Sequence, residues 1–452
     1  KYIFPFLPKG VFALLPLLLA SCFEQKAPPF PYGKNYTVSP AIKPLKPAKN
    51  DTIQWQTFTT STYDQLPTTR FDWDRLESTR IEVGFPYDMP GNLEEVPLNM
   101  DSLPSVDFDI TSIKKEKLDV RVIALGKPVI NPVGYLPNPA QATRGVRYVD
   151  DGFGLPNSAT SSLLAEDGTI WIGTQGGYLA HYNSGNVALY GPEQGLEIGN
   201  ISSIKEYSSG RLWLGSNRDN VIVIDLNSNL IYELQSRSFS HRIFQLREIS
   251  DGTVWTRNNS PGYSFIDFED QSVAVMGADN SPFGGFTVSV FEDSKGLIWT
   301  GSSEGVRIID RDNNKIYHLT REQGLIGNMA YSIIEDDESR IWLGTARGIS
   351  VISADRSRIS SIGPENGMQD MSQIFSVLQS SDGKFWFGTG NGLLYSYDED
   401  KRRLMKYQLL AGGGFIFNLF EDEQGQIWAV NVNGGGMYVI DESTGQPANI
   451  DG

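Results

Sequence analysis

One cysteine, three histidines and no apolar run of membrane-spanning length limit what this 452-residue chain can be. With Cys22 alone, no disulfide can form within the chain and no cysteine-based zinc site can be assembled. His181, His241 and His318 are far apart and show no metal-ligand spacing. Basic charge is scarce as well, since 38 Lys and Arg stand against 54 Asp and Glu, a net −16. That sign argues against the basic patch through which nucleic acid is held, so no nucleic-acid partner is expected. Serine-nucleophile motifs are missing, and the glycine runs 412–414 and 434–436 lack the lysine and helix of a phosphate loop. What the chain has in excess is glycine, 46 residues, and tryptophan, nine. At 40% hydrophobic and 11% aromatic it can bury a large core, and its length fits two or three domains or one repeat architecture.

Charge is unevenly spread. Residues 1–50 carry seven lysines and one acid, Glu24, a charge of +6 that leaves −22 on the rest. Residues 10–20 form an apolar run of eleven, short of the ~20 residues of a spanning helix and of the right length for a signal-peptide core. The run ends in Leu19-Ala20-Ser21-Cys22, which resembles the lipobox of bacterial lipoproteins. That resemblance implies a lipoprotein signal peptide over 1–21 and a diacylglycerol on the Cys22 thiol, anchoring an extracytoplasmic protein to a membrane of the periplasm or outer membrane. Residues 22–50, rich in proline and lysine, then read as an extended, solvated tether. Over 51–143, short β-like runs at Thr52–Phe58, Arg80–Phe85 and Asp119–Ala124 are separated by Pro, Asn and Asp, which predicts an irregular or strand-adding segment.

From residue 144 onward the chain repeats itself. Trp171, Trp213, Trp255, Trp299, Trp342, Trp386 and Trp428 follow one another at intervals of 42, 42, 44, 43, 44 and 42 residues. Around each runs one pattern: an alternating apolar strand, an acidic turn, a strand opening on an aliphatic residue or Phe and then Trp, and a third strand. Asp167-Gly-Thr-Ile-Trp-Ile-Gly-Thr174 and Asp382-Gly-Lys-Phe-Trp-Phe-Gly-Thr389 are two of the copies. A β unit of ~40–45 residues is the signature of a four-stranded propeller blade. The turn glycine supplies the positive φ of a tight hairpin, and a Trp fixed in each blade fills the wedge between sheets. The prediction is an all-β, seven-bladed propeller of four-stranded blades over 144–452, with all seven Trp in the core. The seventh repeat lacks a good fourth strand, whereas Val146–Val149 precedes the first, so these four residues are expected to complete blade seven and remove the open edge.

The Gly-x-Ile/Leu-Trp-x-Gly-Thr core, with exit loops such as Glu193-Gln-Gly-Leu196, Glu322-Gln-Gly-Leu325 and Glu365-Asn-Gly-Met368, resembles the two-component regulator propeller repeat. The resemblance implies an extracytoplasmic ligand-sensing propeller of the kind found in bacterial hybrid histidine kinases, several of which sense carbohydrates. It implies no cofactor and no catalysis in this chain. No hydrophobic span or kinase motif follows blade seven within these residues, so the chain is expected to be either a self-contained lipoprotein or part of a longer one with a signalling domain past Gly452. Two alternatives stand beside this reading: a seven-bladed lyase of a polysaccharide or antibiotic, and a lipoprotein scaffold for a protein partner.

Two acidic features are read as structural. The pairs Glu166-Asp167, Glu292-Asp293, Glu335-Asp336 and Glu421-Asp422 each fall at a hairpin between first and second strands, which makes them turn formers. Asp310-Arg-Asp-Asn-Asn314 opens like a calcium loop but lacks its later glycine and glutamate, and no metal is expected there. A ligand is expected over the central channel, on the face of the loops joining second to third and fourth to first strands. Departures from the repeat on that face are the candidate ligand-binding residues: Arg218, Arg257, Asn258, Asn259, Arg347, Asn391, Asn431 and Asn433, with Phe283 added from a fourth-to-first loop. Guanidinium and amide groups beside an aromatic face suit an oligosaccharide or other small polar or anionic ligand.

Overall fold

Alternating apolar residues, a left-handed turn position and a Trp in every second strand fold each repeat into an antiparallel meander. The computed structural model describes residues 85–440 except 90–92, 133–145, 150–153, 184–185, 208–209, 218–219, 237–242, 259–261, 278–285, 370–372, 410–413 and 433–435. All described residues belong to one unit, Thr79–Gly452. The expected signal peptide, Cys22, the tether and Thr52–Phe58 lie outside them.

In blade one the strands are Ala159–Leu164, Ile170–Thr174, Leu179–Asn183 and Asn186–Tyr190, hydrogen-bonded in that order. Six more such sheets follow. The first strands of successive blades touch one another around the ring, blade seven closing on blade one, so these strands are innermost. Every repeat Trp is at most 3% exposed. In blades four, five and seven the indole Nε1 donates to an Asp six residues earlier: Trp299 to Asp293 at 2.8 Å, Trp342 to Asp336 and Trp428 to Asp422 at 2.7 Å. The same Asp accepts turn amides, so one carboxylate shapes the hairpin and fixes the Trp. Blade five has no glycine in this turn, and Ser339 takes the left-handed conformation there at φ 60°.

The acids preceding those Asp residues join blades. Glu292 accepts the Ser250 amide of blade three, Glu335 the Ser294 amide of blade four and Glu421 the Ser381 amide of blade six. The acidic pairs are therefore used up in turns and joints. Nearer the axis, the third residue of each first strand makes the opposite set of joints. Ser161, Ser289 and Ser376 donate to the next blade's Ile201, Ala330 and Ile416 carbonyls at 2.8, 2.6 and 2.9 Å. Asn418 of blade seven donates to the Ser162 carbonyl of blade one at 2.6 Å, which closes the ring.

The N-terminal segment corrects the expectation of four-stranded blades. Strands β1 (Phe85–Asp88), β2 (Glu95–Pro97), β3 (Ser105–Asp107), β4 (Lys115–Lys117), β5 (Asp119–Ala124) and β6 (Val129–Pro132) add a fifth strand to blades six, five, four, three, two and one in turn. Then β7 (Val146–Val149) pairs with Gly436–Ile440 as the fourth strand of blade seven, with Tyr148 opposite Tyr438. The segment is a belt laid against the ring in the direction opposite to the blade order. Its docking is periodic. After β1 to β5, the amides of Met89, Leu98, Phe108, Leu118 and Leu125 donate to carbonyls of the turns between third and fourth strands, at 2.7 to 3.0 Å. Leu98 and Leu103 pack into the core shared by blades four and five beside Trp299, and Leu118 into that of blades two and three beside Trp213. The wedge between two sheets is widest at its outer end, and these side chains fill it there.

Candidate functional site

Where the repeat requires glycine shows where this chain has departed from it. The second residue after each Trp pairs with the third residue of the first strand and faces the next blade. At Gly301 an added Cβ would sit 2.0 Å from the Ala330 carbonyl oxygen, and at Gly173 it would sit 2.5 Å from Ser161 Oγ and 2.6 Å from an Ile201 methyl. Gly215, Gly344 and Gly388 are equally crowded. Only glycine lets the blades come that close. Blade three has Arg257 at this position and blade seven has Val430. In the same two blades the third residue of the first strand is no longer serine but a longer amide, Gln245 or Asn418. The Gln245 carbonyl accepts the Val290 amide of blade four at 3.0 Å, so the longer side chain spans a joint that the larger residue holds open.

Arg257 occupies the joint between blades three and four. Its Nε donates to the Thr287 carbonyl at 3.0 Å, and its guanidinium lies 5.8 Å from the Phe286 ring. Burial pushes it down to about 10, partly offset by the Tyr263 and Tyr331 hydroxyls, so it is fully charged at neutral pH. Tyr331 stands on the first strand of blade five, which places the guanidinium toward the innermost strands and not on the perimeter.

A β-bulge recurs at the start of every first strand and leaves its second residue out of the pairing. In blades one and two that residue is Thr160 or Ser202, whose hydroxyls donate to carbonyls of their own and the next blade. In blades five, six and seven it is Tyr331, Phe375 and Phe417. Their rings form a continuous arc, Tyr331 to Phe375 at 4.7 Å and Phe375 to Phe417 at 4.5 Å, with Phe415 5.6 Å from Phe375. Phe417 is 41% exposed, and among the described residues every other exposed large hydrophobic lies on the belt. A charged planar donor at one side and an aromatic arc on the adjoining blades thus meet at one mouth of the ring, on the face of the second-to-third and fourth-to-first loops. Aromatic faces stack on apolar ligand faces, and a guanidinium reads hydroxyls or carboxylates.

The other candidates scatter. Asn258 ends the strand Val254–Asn258 and Asn431 lies within Ile427–Val432, so these and Arg257 are strand residues, not loop residues. Pairing with the third strand ends at Arg257 with Tyr263 in blade three and at Asn431 with Gly436 in blade seven. Asn431 is fully buried, and neither amide atom has a hydrogen-bond partner among the described residues. Asn391 braces its own loop, accepting from the Thr389 hydroxyl at 2.7 Å. Arg347 is exposed, and its amide donates to Thr345 Oγ1. Arg218, Asn259, Asn433 and Phe283 lie outside the described residues. His181 stacks on Trp171 at 4.0 Å and lies 2.8 Å from the Thr169 hydroxyl, while His318 lies 3.2 Å from the Glu304 carbonyl, so both are occupied structurally. No group of three metal donors occurs among the described residues. Tyr331, Phe375, Phe415 and Phe417 escape sequence reading because they look like ordinary strand residues. Comparing the residue immediately before each Ser, Gln or Asn joint would have located the bulge.

A separate cleft of about 630 Å³ lies under the belt between blades five and six. Four of its five charged side chains are already paired: Arg340 with Glu399 at 2.9 Å, and Arg358 with Glu95 at 2.9 Å, Arg340 also holding Asp336 at 2.6 Å. It offers a ligand less than the mouth does.

Residues 324–347 match the family described as "Two component regulator propeller". They span the exit loop, first two strands and Trp of blade five. The chain is similar to the extracellular domain of BT3049, described as a hybrid two component system of B. thetaiotaomicron. The TM-score is 0.51 at 17% identity, over 64% of this chain and 40% of that one, so this chain spans well under half of that domain. It is also similar to virginiamycin B lyase from Staphylococcus aureus, with TM-score 0.52 and 10% identity over 72% and 100% of the two chains. The WD40 β-propeller domain of Doa1 gives 0.52 and 11% over the same shares. No curated protein matches the sequence. At these identities the structural likenesses are likenesses of fold. The chain is a seven-bladed β-propeller that carries the two component regulator propeller repeat.

Proposed function

We propose that the chain is an extracytoplasmic sensor propeller that binds an oligosaccharide or similar small polar ligand at this mouth and serves two-component-type signalling. The observation that carries the reading is Arg257, set where five other blades hold glycine and near enough to Tyr331, the first ring of the arc, for its charge to act there. A charge buried in a joint destabilises the ring unless something else favours it, and a sugar offers hydroxyls to the guanidinium and C–H faces to the rings. The repeat supports the sensor class, and the reading assigns signal output to a separate domain or partner.

The test is calorimetric titration of the chain with a panel of neutral and acidic oligosaccharides, repeated with Phe375→Ala. Saturable binding that weakens roughly tenfold in the variant supports the site. Undiminished binding in Phe375→Ala places the ligand elsewhere, and turnover of a panel member favours the lyase alternative.

A further inference from the structure

A second departure from the repeat lies deeper in the ring. The first-strand residue paired with each blade's Trp is Leu163, Lys205, Arg247, Phe291, Ile334, Leu378 and Phe420 in blades one to seven. Five are large and apolar, which suits the inner edge of a packed ring. Blades two and three instead place two cations side by side. They stand three residues beyond the bulge, about 10 Å along the strands from the mouth.

Neither cation is there to satisfy an acid. Among the described residues, no hydrogen bond or ion pair reaches the Lys205 ammonium, and Arg247 is the only charge that bears on it, a repulsive one. Burial pushes Lys205 down to about 8, with Arg247 adding to the shift. Arg247 lies over the Phe291 ring at 4.7 Å and feels Tyr207 and Glu292. Glu292 is already tied to the Ser250 amide and hydroxyl at 2.5 and 2.8 Å and to Arg311. Two like charges half-buried on adjoining strands, with Glu292 acting on Arg247 alone, destabilise the ring, and leucine would remove the cost at either position.

We propose that Lys205 and Arg247 form a binding site for an oxyanion (a carboxylate, sulfate or phosphate group) at the innermost strands of blades two and three. A guanidinium and an ammonium set side by side supply the fork and the point charge that such a group requires. The site is separate from the Arg257 mouth and does not depend on the function proposed for it.

The experiment titrates the full chain with inorganic phosphate, sulfate and glucuronate at constant ionic strength, following binding by calorimetry and the melting temperature. The variants are Lys205→Leu, Arg247→Leu, their double and, as a surface-cation control, Lys401→Ala. Leucine is native at this position in blades one and six, so the variants keep the fold. Saturable binding is expected, weakened roughly tenfold by each single change and lost in the double, with Lys401→Ala unaffected. The preferred anion tells a tetrahedral group from a carboxylate. In the unmutated chain, phosphate should slow acetylation of Lys205 and leave that of the exposed Lys115 unchanged. No saturable response, an equal response in the double variant, equal weakening in Lys401→Ala, or no protection of Lys205 overturns the proposal.

Discussion

Asp293 and Asp422 perform the same local task in blades four and seven, yet their removal should differ in effect by a measurable amount. Each accepts two turn amides and the Nε1 of its own Trp. Asp293 alone also carries a buried ion pair, with Arg356 Nη2 at 2.9 Å and side chains 5% and 0% exposed. Arg356 comes from blade five, stacks 5.6 Å over Trp299, and has no partner for its Nε among the described residues. Asp422→Ala frees an indole donor and two turn amides, a loss of ~1–3 kcal/mol. Asp293→Ala does that and also leaves the buried Arg356 guanidinium with only its longer ion pair, to Glu335 at 3.6 Å, for which ~3–5 kcal/mol is expected. The gap of about 2 kcal/mol is readable in urea denaturation. Adding Arg356→Met to Asp293→Ala should recover most of the gap, because it removes the stranded charge and keeps volume beside Trp299. Equal losses in the two aspartate variants, or no recovery on adding Arg356→Met, would refute the assignment of the difference to the ion pair.

Three further outcomes follow from the joints, the clasp and one buried ring. Gly301→Val should abolish stable folding because its Cβ would meet the Ala330 carbonyl at 2.0 Å, whereas Arg257→Val, in a joint already held open, should melt within a few degrees of the parent. Tyr148→Pro removes a ladder hydrogen bond from the strand that closes blade seven, a loss of ~3 kcal/mol or more, which limited proteolysis would register as cleavage near residues 436–440. Burial holds the His181 imidazole below its ordinary 6.5, so the unfolded chain takes up this proton first. Stability should therefore be complete above that value and fall as pH drops from it toward the lower folded value, a slope that His181→Phe removes.

The ring was legible because its signals are long and repeated. Seven Trp at near-constant spacing, the turn residues before them and the displaced strand Val146–Val149 all translate directly into the observed pairing. The belt was legible only in outline, as an irregular or strand-adding segment. Its segments are three to six residues long, too short for an alternation to register, and proline and aspartate interrupt them. A different period was present, since Leu93, Leu103, Ile113 and Ile123 recur every ten residues, as do Leu98, Phe108 and Leu118. Ten residues is the step from one blade's outer edge to the next. Only the run Asp119–Ala124, six residues of unbroken β character, was picked out as the strand it is. The candidate site was half legible. Arg257 was visible as a break in the Trp-x-Gly-Thr pattern, but its aromatic neighbours depend on a bulge that turns one residue out of the pairing, and a bulge leaves no mark in a hydrophobic pattern. Asn431 broke the same pattern for a local reason, the filling of a buried strand position, while Asn391 follows an intact Trp386-Phe-Gly-Thr389 and braces its own loop.

The central claim is that Arg257 is held in the joint for a ligand's benefit and not for the ring's. The most direct test returns blade three to the repeat with Gln245→Ser and Arg257→Gly together, then measures stability and oligosaccharide binding on the same samples. The account predicts a ring at least as stable as the parent that has lost the parent's binding by a factor of roughly ten or more. A less stable ring with undiminished binding would contradict it and make Arg257 a structural residue.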